Sequence, residues 1–241
     1  MQDRYVGDVG DFGKIGMLRQ IEESGLRIVV NWYLTYKPEE HINADGKHIG
    51  YLNNISFKGC DDGLLKALIT ITKGTRSVAA LENADLIPNA IYYREILKPG
   101  NDKNFKRSIW YRDSLEKLSE SDIIFCDPDN GLIVKSVSQK SIKSDKYILP
   151  DELFSYYQAG KSIVFYNHRC REQEQVYLQR FEVLKQKNEF MEAEWRGLKF
   201  ARGTIRDYIF ILHAQHSEVV DIAIENMLKT NWHKYLSKLN I

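Results

Sequence analysis

The sequence lacks a long hydrophobic run, and it lacks an excess of charge of either sign. No apolar run in the 241 residues approaches the roughly 18–20 residues that a membrane-spanning helix needs. The first residues carry no signal-peptide core, so we expect a cytoplasmic protein with no membrane partner. The 34 Lys and Arg residues balance the 33 Asp and Glu residues, so a nucleic-acid site must be local if the chain has one.

The sequence is also poor in cysteine. Cys60, Cys126 and Cys170 are an odd number at wide spacings, which matches neither a disulfide framework nor a zinc knuckle. We therefore expect reduced, structural thiols. The length falls within the range of one large α/β domain, and no internal repeat or low-complexity linker divides the chain. The sequence predicts a single domain over residues 1–241.

Short apolar runs predict the strands of a parallel sheet. Their centres are almost wholly apolar, which is typical of strands that are covered on both faces. The runs are residues 27–34, 76–81, 122–126 and 162–166. Helical patterns separate them at residues 12–23, 61–72, 112–118 and 151–158. Strands that alternate with helices predict βαβ units and a doubly wound, mostly parallel α/β sheet.

The C-terminal third predicts an antiparallel addition to the edge of this sheet. Residues 194–200 and 207–213 are β-rich runs, and the link between them is too short for a crossover helix. They must therefore pair as an antiparallel hairpin. A polar helix is expected before them at residues 171–187, and amphipathic turns are expected after them at residues 217–238.

The first candidate motif is the glycine-rich segment 7–14, which reads Gly-Asp-Val-Gly-Asp-Phe-Gly-Lys. One interpretation is a helix N-cap, with Asp11 accepting hydrogen bonds from first-turn amides. The glycine density exceeds what a cap needs, which favours a flexible functional loop that brings Asp8, Asp11 and Lys14 together. It is not a P-loop, because no Gly-Lys-Ser/Thr ending follows. We expect the segment to fold over the carboxyl ends of the strands, near Asp127.

The second candidate motif is segment 127–131, Asp-Pro-Asp-Asn-Gly, which directly follows an apolar run. Ligands of open α/β sheets bind beyond the carboxyl ends of the strands, so these side chains are aimed at the ligand crevice. A simple turn is the alternative, since turns favour these residue types. Asp127, Asp129 and Asn130 are suited to holding a divalent metal ion, accepting from an exocyclic amine, or acting as a general base.

In their order, these motifs resemble those of the bacterial 23S ribosomal RNA adenine-N6 methyltransferases. Segment 7–14 is similar to the family element A-G-N-x-A-D-x-x-K, with Asp8 in place of its Asn. Residues 81–85 resemble the acidic end of the second strand of that family, and residues 111–115 resemble its A-D-G-F stretch. Residues 127–130 stand where the family has D-P-P-Y.

The resemblance implies a class I methyltransferase fold, in which a mostly parallel sheet is finished by an antiparallel hairpin, and it implies S-adenosylmethionine as cofactor. It assigns Gly7 and Asp8 to the cofactor site, Glu82 to the ribose hydroxyls and Asp113 to the adenine amine of the cofactor. It assigns Asp127 to the amine of the target base. The implied substrate is a nucleic acid.

Two departures from the family pattern bear on these expectations. The glycine-rich end of the first strand, D-T-H-A-G-A-G in the family, is replaced by residues 31–38, which contain no glycine. Bulky side chains there would occupy the space of the methionine carboxylate, so we expect S-adenosylmethionine to bind more weakly than usual. Asn130 replaces the aromatic residue that stacks on the target base. A non-catalytic binding module with the same sheet is therefore one alternative.

A metal-dependent nuclease or phosphodiesterase is the other alternative. Asp127 and Asp129 would hold the metal, with Asp8 and Asp11 nearby. Such sites often pair their carboxylates with a lysine, and Lys135 follows the motif. The acid expected two residues before that lysine is absent, which weakens this hypothesis.

Three further features carry polar residues that bear on a nucleic-acid site. His168 follows the run 162–166, so it is expected at the sheet edge of Asp127, with a surface loop as the alternative. The stretch 135–146 favours a contact with a nucleic-acid backbone, or else a solvated loop. Its lysines are Lys135, Lys140, Lys143 and Lys146. The turn at residues 201–206 is expected to be exposed and polar, with a phosphate contact as the alternative.

Overall fold

The structure is a computed structural model, and it describes residues 1–35, 48–97, 103–169 and 172–241. The α-helices are α1 (Val9–Glu22), α2 (Ile55–Lys58), α3 (Asp62–Lys73), α4 (Val78–Asn83), α5 (Lys103–Lys117), α6 (Pro150–Gln158), α7 (Glu174–Lys185) and α8 (Ala214–Leu228). The strands are β1 (Ile28–Asn31), β2 (Ile91–Tyr93), β3 (Ile123–Cys126), β4 (Gly131–Leu132), β5 (Tyr147–Ile148), β6 (Ser162–His168), β7 (Glu194–Arg202), β8 (Thr204–Leu212) and β9 (Leu236–Leu239).

The central sheet has seven strands in the order β2-β1-β3-β6-β8-β7-β9. The first four of these run parallel, whereas β8 is antiparallel to β6, β7 is antiparallel to β8, and β9 is antiparallel to β7. The fold is therefore a Rossmann-like α/β fold with antiparallel C-terminal strands. The predicted hairpin of β7 and β8 is confirmed, but its predicted place at the sheet edge is wrong because β9 pairs outside it.

Both faces of the sheet are covered, which explains the continuous apolar strand centres. Val30 and Phe125 belong to a buried cluster with α1, α3 and α8 on one face. Val29 and Ile124 belong to a second cluster with α5, α6 and α7 on the other face. Each aliphatic side chain of this kind stabilises the fold by about 1.5–3 kcal/mol relative to an exposed one.

The predicted strand at residues 76–81 is wrong, because the chain forms α4 there. Ser77 precedes the helix, and its side chain accepts a hydrogen bond from the amide of Ala80 at 3.1 Å. This N-cap and the helix-favouring residues after it outweigh the apolar character of the run. The parallel edge strand is instead β2, which the sequence reading did not find. It also missed β9, which begins inside the predicted turns at residues 217–238 and ends one residue beyond them.

Helix α1 lies close to the antiparallel strands because its glycines leave room for two aromatic side chains. A Cβ atom at Gly13 would lie 2.8 Å from the ring of Phe200, and one at Gly16 would lie 2.4 Å from the indole of Trp232. The predicted flexible loop is therefore wrong for most of segment 7–14, which is helical from Val9 onward. The glycine density serves close helix packing.

Two further sequence expectations have partial outcomes. Cys60 and Cys126 carry free thiols, and Cys170 lies outside the described residues. Part of the glycine-free segment after β1, residues 36–38, also lies outside them. Within the described ranges, no helix has the length and apolar character to cross a bilayer.

Candidate functional site

A cavity of about 270 Å³ lies at the carboxyl ends of β3 and β6, beside the first turns of α1. Most of the predicted site residues line it, namely Asp8, Asp11, Lys14, Asp127, Asp129, Asn130 and His168. Others on its wall were not assigned to the site from the sequence, namely Tyr5, His48, Tyr166, Thr204 and Arg206. The expectation that segment 7–14 approaches Asp127 is confirmed.

Lys14 is the centre of the site. Its Nζ lies 2.9 Å from Oδ1 of Asp11 and 2.7 Å from Oδ2 of Asp127, and all three residues are buried. Burial alone would lower the pKa of Lys14, but the charges of Asp11 and Asp127 outweigh it and raise that pKa above its ordinary value. Lys14 is therefore a fixed ammonium group that holds two carboxylates, and it does not serve as a base.

Asp11 links Lys14 to the start of α1. Its Oδ2 accepts a hydrogen bond from the amide of Gly7 at 2.8 Å, while its Oδ1 binds Lys14. Burial raises the pKa of Asp11, and the nearby charge of Asp8 adds to this, whereas Lys14 acts in the opposite direction. Gly7 has a φ of 75°, a conformation that favours glycine. The role of Gly7 here is to shape the approach to α1.

Asp8, rather than Asp11, is the N-cap of α1. Its side chain accepts from the amides of Gly10 and Asp11 at 2.7 Å and 3.1 Å. Its other oxygen lies 3.3 Å from Nη2 of Arg206. Gly10 is needed at this contact, since a Cβ there would lie 2.5 Å from Nε of Arg206. Asp8 thus ties the helix to the antiparallel strand β8.

Asp127 is a buried carboxylate with one oxygen open to the cavity. Its backbone amide donates to the carbonyl of Asn31 at 2.9 Å, which fixes it to the end of β1. Oδ2 is held by Lys14, and no donor in the described part of the chain bonds to Oδ1. Oδ1 is not among the fully buried atoms that lack a partner, and Asp127 lines the cavity, so this oxygen is suited to accept a hydrogen bond from a ligand.

The rest of the Asp-Pro-Asp-Asn-Gly segment is both a turn and a cavity wall. The side chain of Asp129 contacts the amino group of Met1 at 3.3 Å and the side-chain amide of Gln2. Gly131 has a φ of 95°, and a Cβ there would lie 2.1 Å from Oδ1 of Asn167. Only glycine fits this position, because any other side chain would clash with Asn167 and would be strained at this φ. The cavity wall at Asn130 therefore depends on glycine at the next position.

The amino group of Met1 reaches the same wall. It donates to the carbonyl of Trp32 at 2.7 Å and to the carbonyl of Asp127 at 3.0 Å. These bonds place the first residue across the ends of β1 and β3.

His168 ends β6 at the cavity rim, beside Arg206 in the cross-strand register. Its Nδ1 lies 3.2 Å from the hydroxyl of Tyr166. Partial burial lowers the pKa of His168, and the positive charge of Arg206 lowers it further. His168 is therefore largely neutral at pH 7.

Arg206 itself is buried in β8, so the expected exposed turn at residues 201–206 is wrong at this position. Sequence reading missed it because its burial depends on the pairing of β6 with β8.

Glu82 and Asp113, which the resemblance assigns to the cofactor, do not line the cavity. Glu82 accepts from Nε1 of Trp32 at 2.7 Å and pairs with Arg94 at 2.5 Å. Asp113 lies on α5, where its carboxylate accepts from Tyr93 and pairs with a lysine one turn later. The two acids are therefore engaged in separate contacts with side chains of the protein.

The end of β1 is also filled. Trp32 and Tyr33 are 0% and 1% exposed, and Trp32 stacks on Tyr92 with ring centroids 5.8 Å apart. These side chains occupy the region in which the resemblance places the methionine part of S-adenosylmethionine. The described residues therefore do not fit the cofactor in the arrangement that the resemblance implies.

A divalent metal ion also finds little support. Within the described ranges, no cluster of three or more His, Cys, Asp or Glu side chains is arranged to hold a metal. The ammonium of Lys14 already lies between Asp11 and Asp127, where a cation would otherwise balance the two charges.

The basic stretch at residues 135–146 adjoins the cavity. The amide of Asn130 donates to the carbonyl of Lys146 at 2.9 Å, which joins the stretch to the cavity wall. Lys135, Lys140 and Lys143 are exposed, and none forms an ion pair with a described residue. The stretch is not wholly a loop, since Ile142–Lys146 forms a 3-10 helix.

Comparison with known proteins adds no family to this description. No protein-family model matches the chain, and no curated protein matches its sequence.

Proposed function

We propose that this chain is a nucleic-acid-modifying protein, related to the adenine-N6 methyltransferases, that binds the exocyclic amine of a nucleobase at Asp127. The observation that carries this proposal is the open oxygen of Asp127. A buried carboxylate, held by Lys14 through Oδ2, presents Oδ1 to a cavity without a donor from the described residues.

The chemistry of an exocyclic amine suits this arrangement. An amine presents N–H donors, and a carboxylate accepts only. Lys14 binds Oδ2 of Asp127 and supplies the counter-charge of the carboxylate, so Oδ1 is left to accept from the amine. Asp129 and Asn130 line the same wall and supply further polar groups for the edge of a base.

A nucleic-acid substrate is supported by the basic stretch at residues 135–146. Its last residue, Lys146, contacts Asn130 of the cavity wall through its backbone carbonyl, and Lys135, Lys140 and Lys143 are exposed. Lysines that neutralise phosphates release counterions, which provides affinity for the backbone without reading sequence. A base could then be bound in the cavity while its backbone runs over the lysines.

The relation to methyltransferases is supported by the strand plan and by the meeting of the two motifs at Lys14 and Asp127. Because Glu82 and the end of β1 are occupied by contacts within the protein, we propose that S-adenosylmethionine binds weakly. The metal-dependent nuclease is not favoured, since Lys14 takes the place of a metal between the carboxylates.

The test compares ligands that differ in the exocyclic amine, namely adenosine with inosine and cytidine with uridine, by calorimetric titration. We expect the amine-bearing partner of each pair to bind at least about 10-fold more tightly, as expected for a donor lost from a buried acceptor. Asp127→Asn is expected to remove the preference. Asp113→Asn, the same change outside the cavity, is the matched control and is expected to keep it. Equal affinities for both partners in the unaltered protein would sink the proposal.

A further inference from the structure

An aromatic stack beside the tip of the β7–β8 hairpin lies under one cation and is flanked in the sequence by two more. Phe57 and Tyr235 stack with centroids 4.4 Å apart and planes 6° from parallel. The guanidinium carbon of Arg202 lies 5.7 Å from the ring centroid of Phe57. Lys58 and Lys234 each adjoin one of the two stacked residues in the sequence. We call Lys58, Arg202 and Lys234 the tip patch.

The charges of the tip patch are available to a partner. All three side chains belong to exposed residues, and none forms an ion pair with another described residue. The two carboxylates that follow Lys58 most closely are held elsewhere. Asp61 pairs with Arg19 at 3.0 Å, and Asp62 pairs with Lys66 at 2.7 Å.

The tip patch adjoins the cavity. Arg202 is followed by Gly203, where a Cβ atom would lie 3.3 Å from Val9 and 4.0 Å from the ring of His48. His48 and Thr204 both line the cavity. Arg202 therefore lies beside the rim that the hairpin forms, and it joins the aromatic stack to that rim, while the basic stretch at residues 135–146 meets the cavity at Asn130.

We propose that the tip patch binds the phosphate backbone of the nucleic acid whose base is bound in the cavity. This inference rests on the proposed function and names a second backbone contact for the same site. Exposed, unpaired cations next to a base-binding cavity are suited to phosphates, and Arg202 is fixed over an aromatic ring, which limits the entropy lost on binding. The three residues come from distant parts of the chain, so the sequence shows no basic run at this place.

The test measures the salt dependence of binding to a short, mixed-sequence single-stranded oligonucleotide. The triple variant Lys58→Gln, Arg202→Gln, Lys234→Gln is compared with the triple variant Lys117→Gln, Lys185→Gln, Lys238→Gln. The control removes the same charge from lysines that are paired with Asp113, Glu182 and Glu225, each at 3.1 Å.

We expect the tip-patch variant to lower the slope of log Kd against log salt by about 2, at about 0.7 per phosphate contact for a single strand. The control is expected to keep the slope of the unaltered protein. An unchanged slope in the tip-patch variant overturns the inference. Binding to anionic phospholipid vesicles is measured in parallel, and a loss of binding to the vesicles alone also overturns it. Asp127→Asn separates a failure of the tip-patch inference from a failure of the proposed function. This variant is expected to lose the preference for the amine-bearing ligand and to keep the salt slope of the unaltered protein.

Discussion

Lys14 Nζ lies 2.7 Å from Oδ2 of Asp127, and both side chains are only 6% exposed. The pair joins the N-terminal helix to the end of the central strand β3, and its two residues are 113 positions apart in the sequence. Asp11 completes it on the helix side at 2.9 Å. Removing the cation leaves two buried carboxylates without a counter-charge, whereas removing one carboxylate leaves the ammonium with the other.

Lys14→Met is expected to lower the free energy of unfolding by about 3–5 kcal/mol, the cost of leaving a buried ionic partner uncompensated. Urea denaturation monitored by circular dichroism measures this. Lys66→Met is the control, since Lys66 forms an ion pair but its side chain is 70% exposed. That change is expected to cost about 1 kcal/mol or less. A loss below about 1 kcal/mol for Lys14→Met would show that the ion pairs of Lys14 with Asp11 and Asp127 contribute little to the stability of the fold.

Asp127→Asn is expected to lower the free energy of unfolding by only ~1–3 kcal/mol, because a hydrogen bond to a charged group is weakened while the shape is kept. Relief of repulsion between the carboxylates of Asp127 and Asp129 is not expected to offset this loss, since Asp127 is paired with Lys14, and Asp129 contacts Met1 and Gln2. A variant that is more stable than the unaltered protein would show that this repulsion dominates.

Gly16→Ala is expected to destabilise the fold even though alanine favours helices. The new Cβ would lie 2.4 Å from the indole of Trp232, so helix and indole must separate. The control is Gly63→Ala on α3, where the nearest heavy atom is 3.5 Å away. That change should be neutral or stabilise by up to about 1 kcal/mol, the difference in helix propensity. Equal thermal midpoints for the two variants would contradict the packing role of the α1 glycines.

The contribution of two histidines to the stability of the fold is expected to fall as the pH drops below about 6.5. Burial lowers the pKa of His168 and of His216 below the ordinary value. The unfolded chain therefore takes up protons first, so this stability is complete above pH of about 6.5 and is lost as the pH falls through the folded pKa.

Urea denaturation across this pH range measures the effect. His216→Gln removes one of the two groups and is expected to flatten the dependence. A dependence that is steeper in His216→Gln than in the unaltered protein, or equal to it, would show that the sign is wrong.

S-adenosylmethionine is expected to bind more weakly than a Kd of about 1 μM, which corresponds to about −8 kcal/mol. Trp32 and Tyr33 fill the end of β1, and Glu82 is held by Trp32 and Arg94. Calorimetric titration with S-adenosylmethionine, and then with magnesium and manganese, checks this. Tight binding of the cofactor would mean that it enters by a route other than the end of β1.

The central strands could be predicted because strands that are buried on both faces have continuous apolar sequences. β1, β3 and β6 are apolar runs covered on both faces, and the short link between β7 and β8 admits only a hairpin. The edges could not be predicted in this way. β2 has three residues, of which Ile91 is 44% exposed, and β9 has four residues, of which the two central ones are exposed.

The candidate site could be predicted in part. Two motifs at one sheet edge predicted that segment 7–14 approaches Asp127. The segment was expected to be a flexible loop, so the helical spacing that aligns Asp11 with Lys14 was not used. The bulky end of β1 was expected to fill the cofactor space, whereas Arg206 was expected in an exposed turn, because its burial depends on strand register. Glu82 was assigned by a strand that is in fact a helix, so its true contact with Trp32 had no local signal.

The most direct measurement of the central claim is a crystal structure of the protein with adenosine monophosphate bound. The account predicts that the base lies in the cavity and that its exocyclic nitrogen is within about 2.8–3.2 Å of Oδ1 of Asp127, the range of a hydrogen bond. Oδ2 should remain on Lys14. A nucleotide bound outside the cavity, or one whose amine bonds to a residue other than Asp127, would contradict the account.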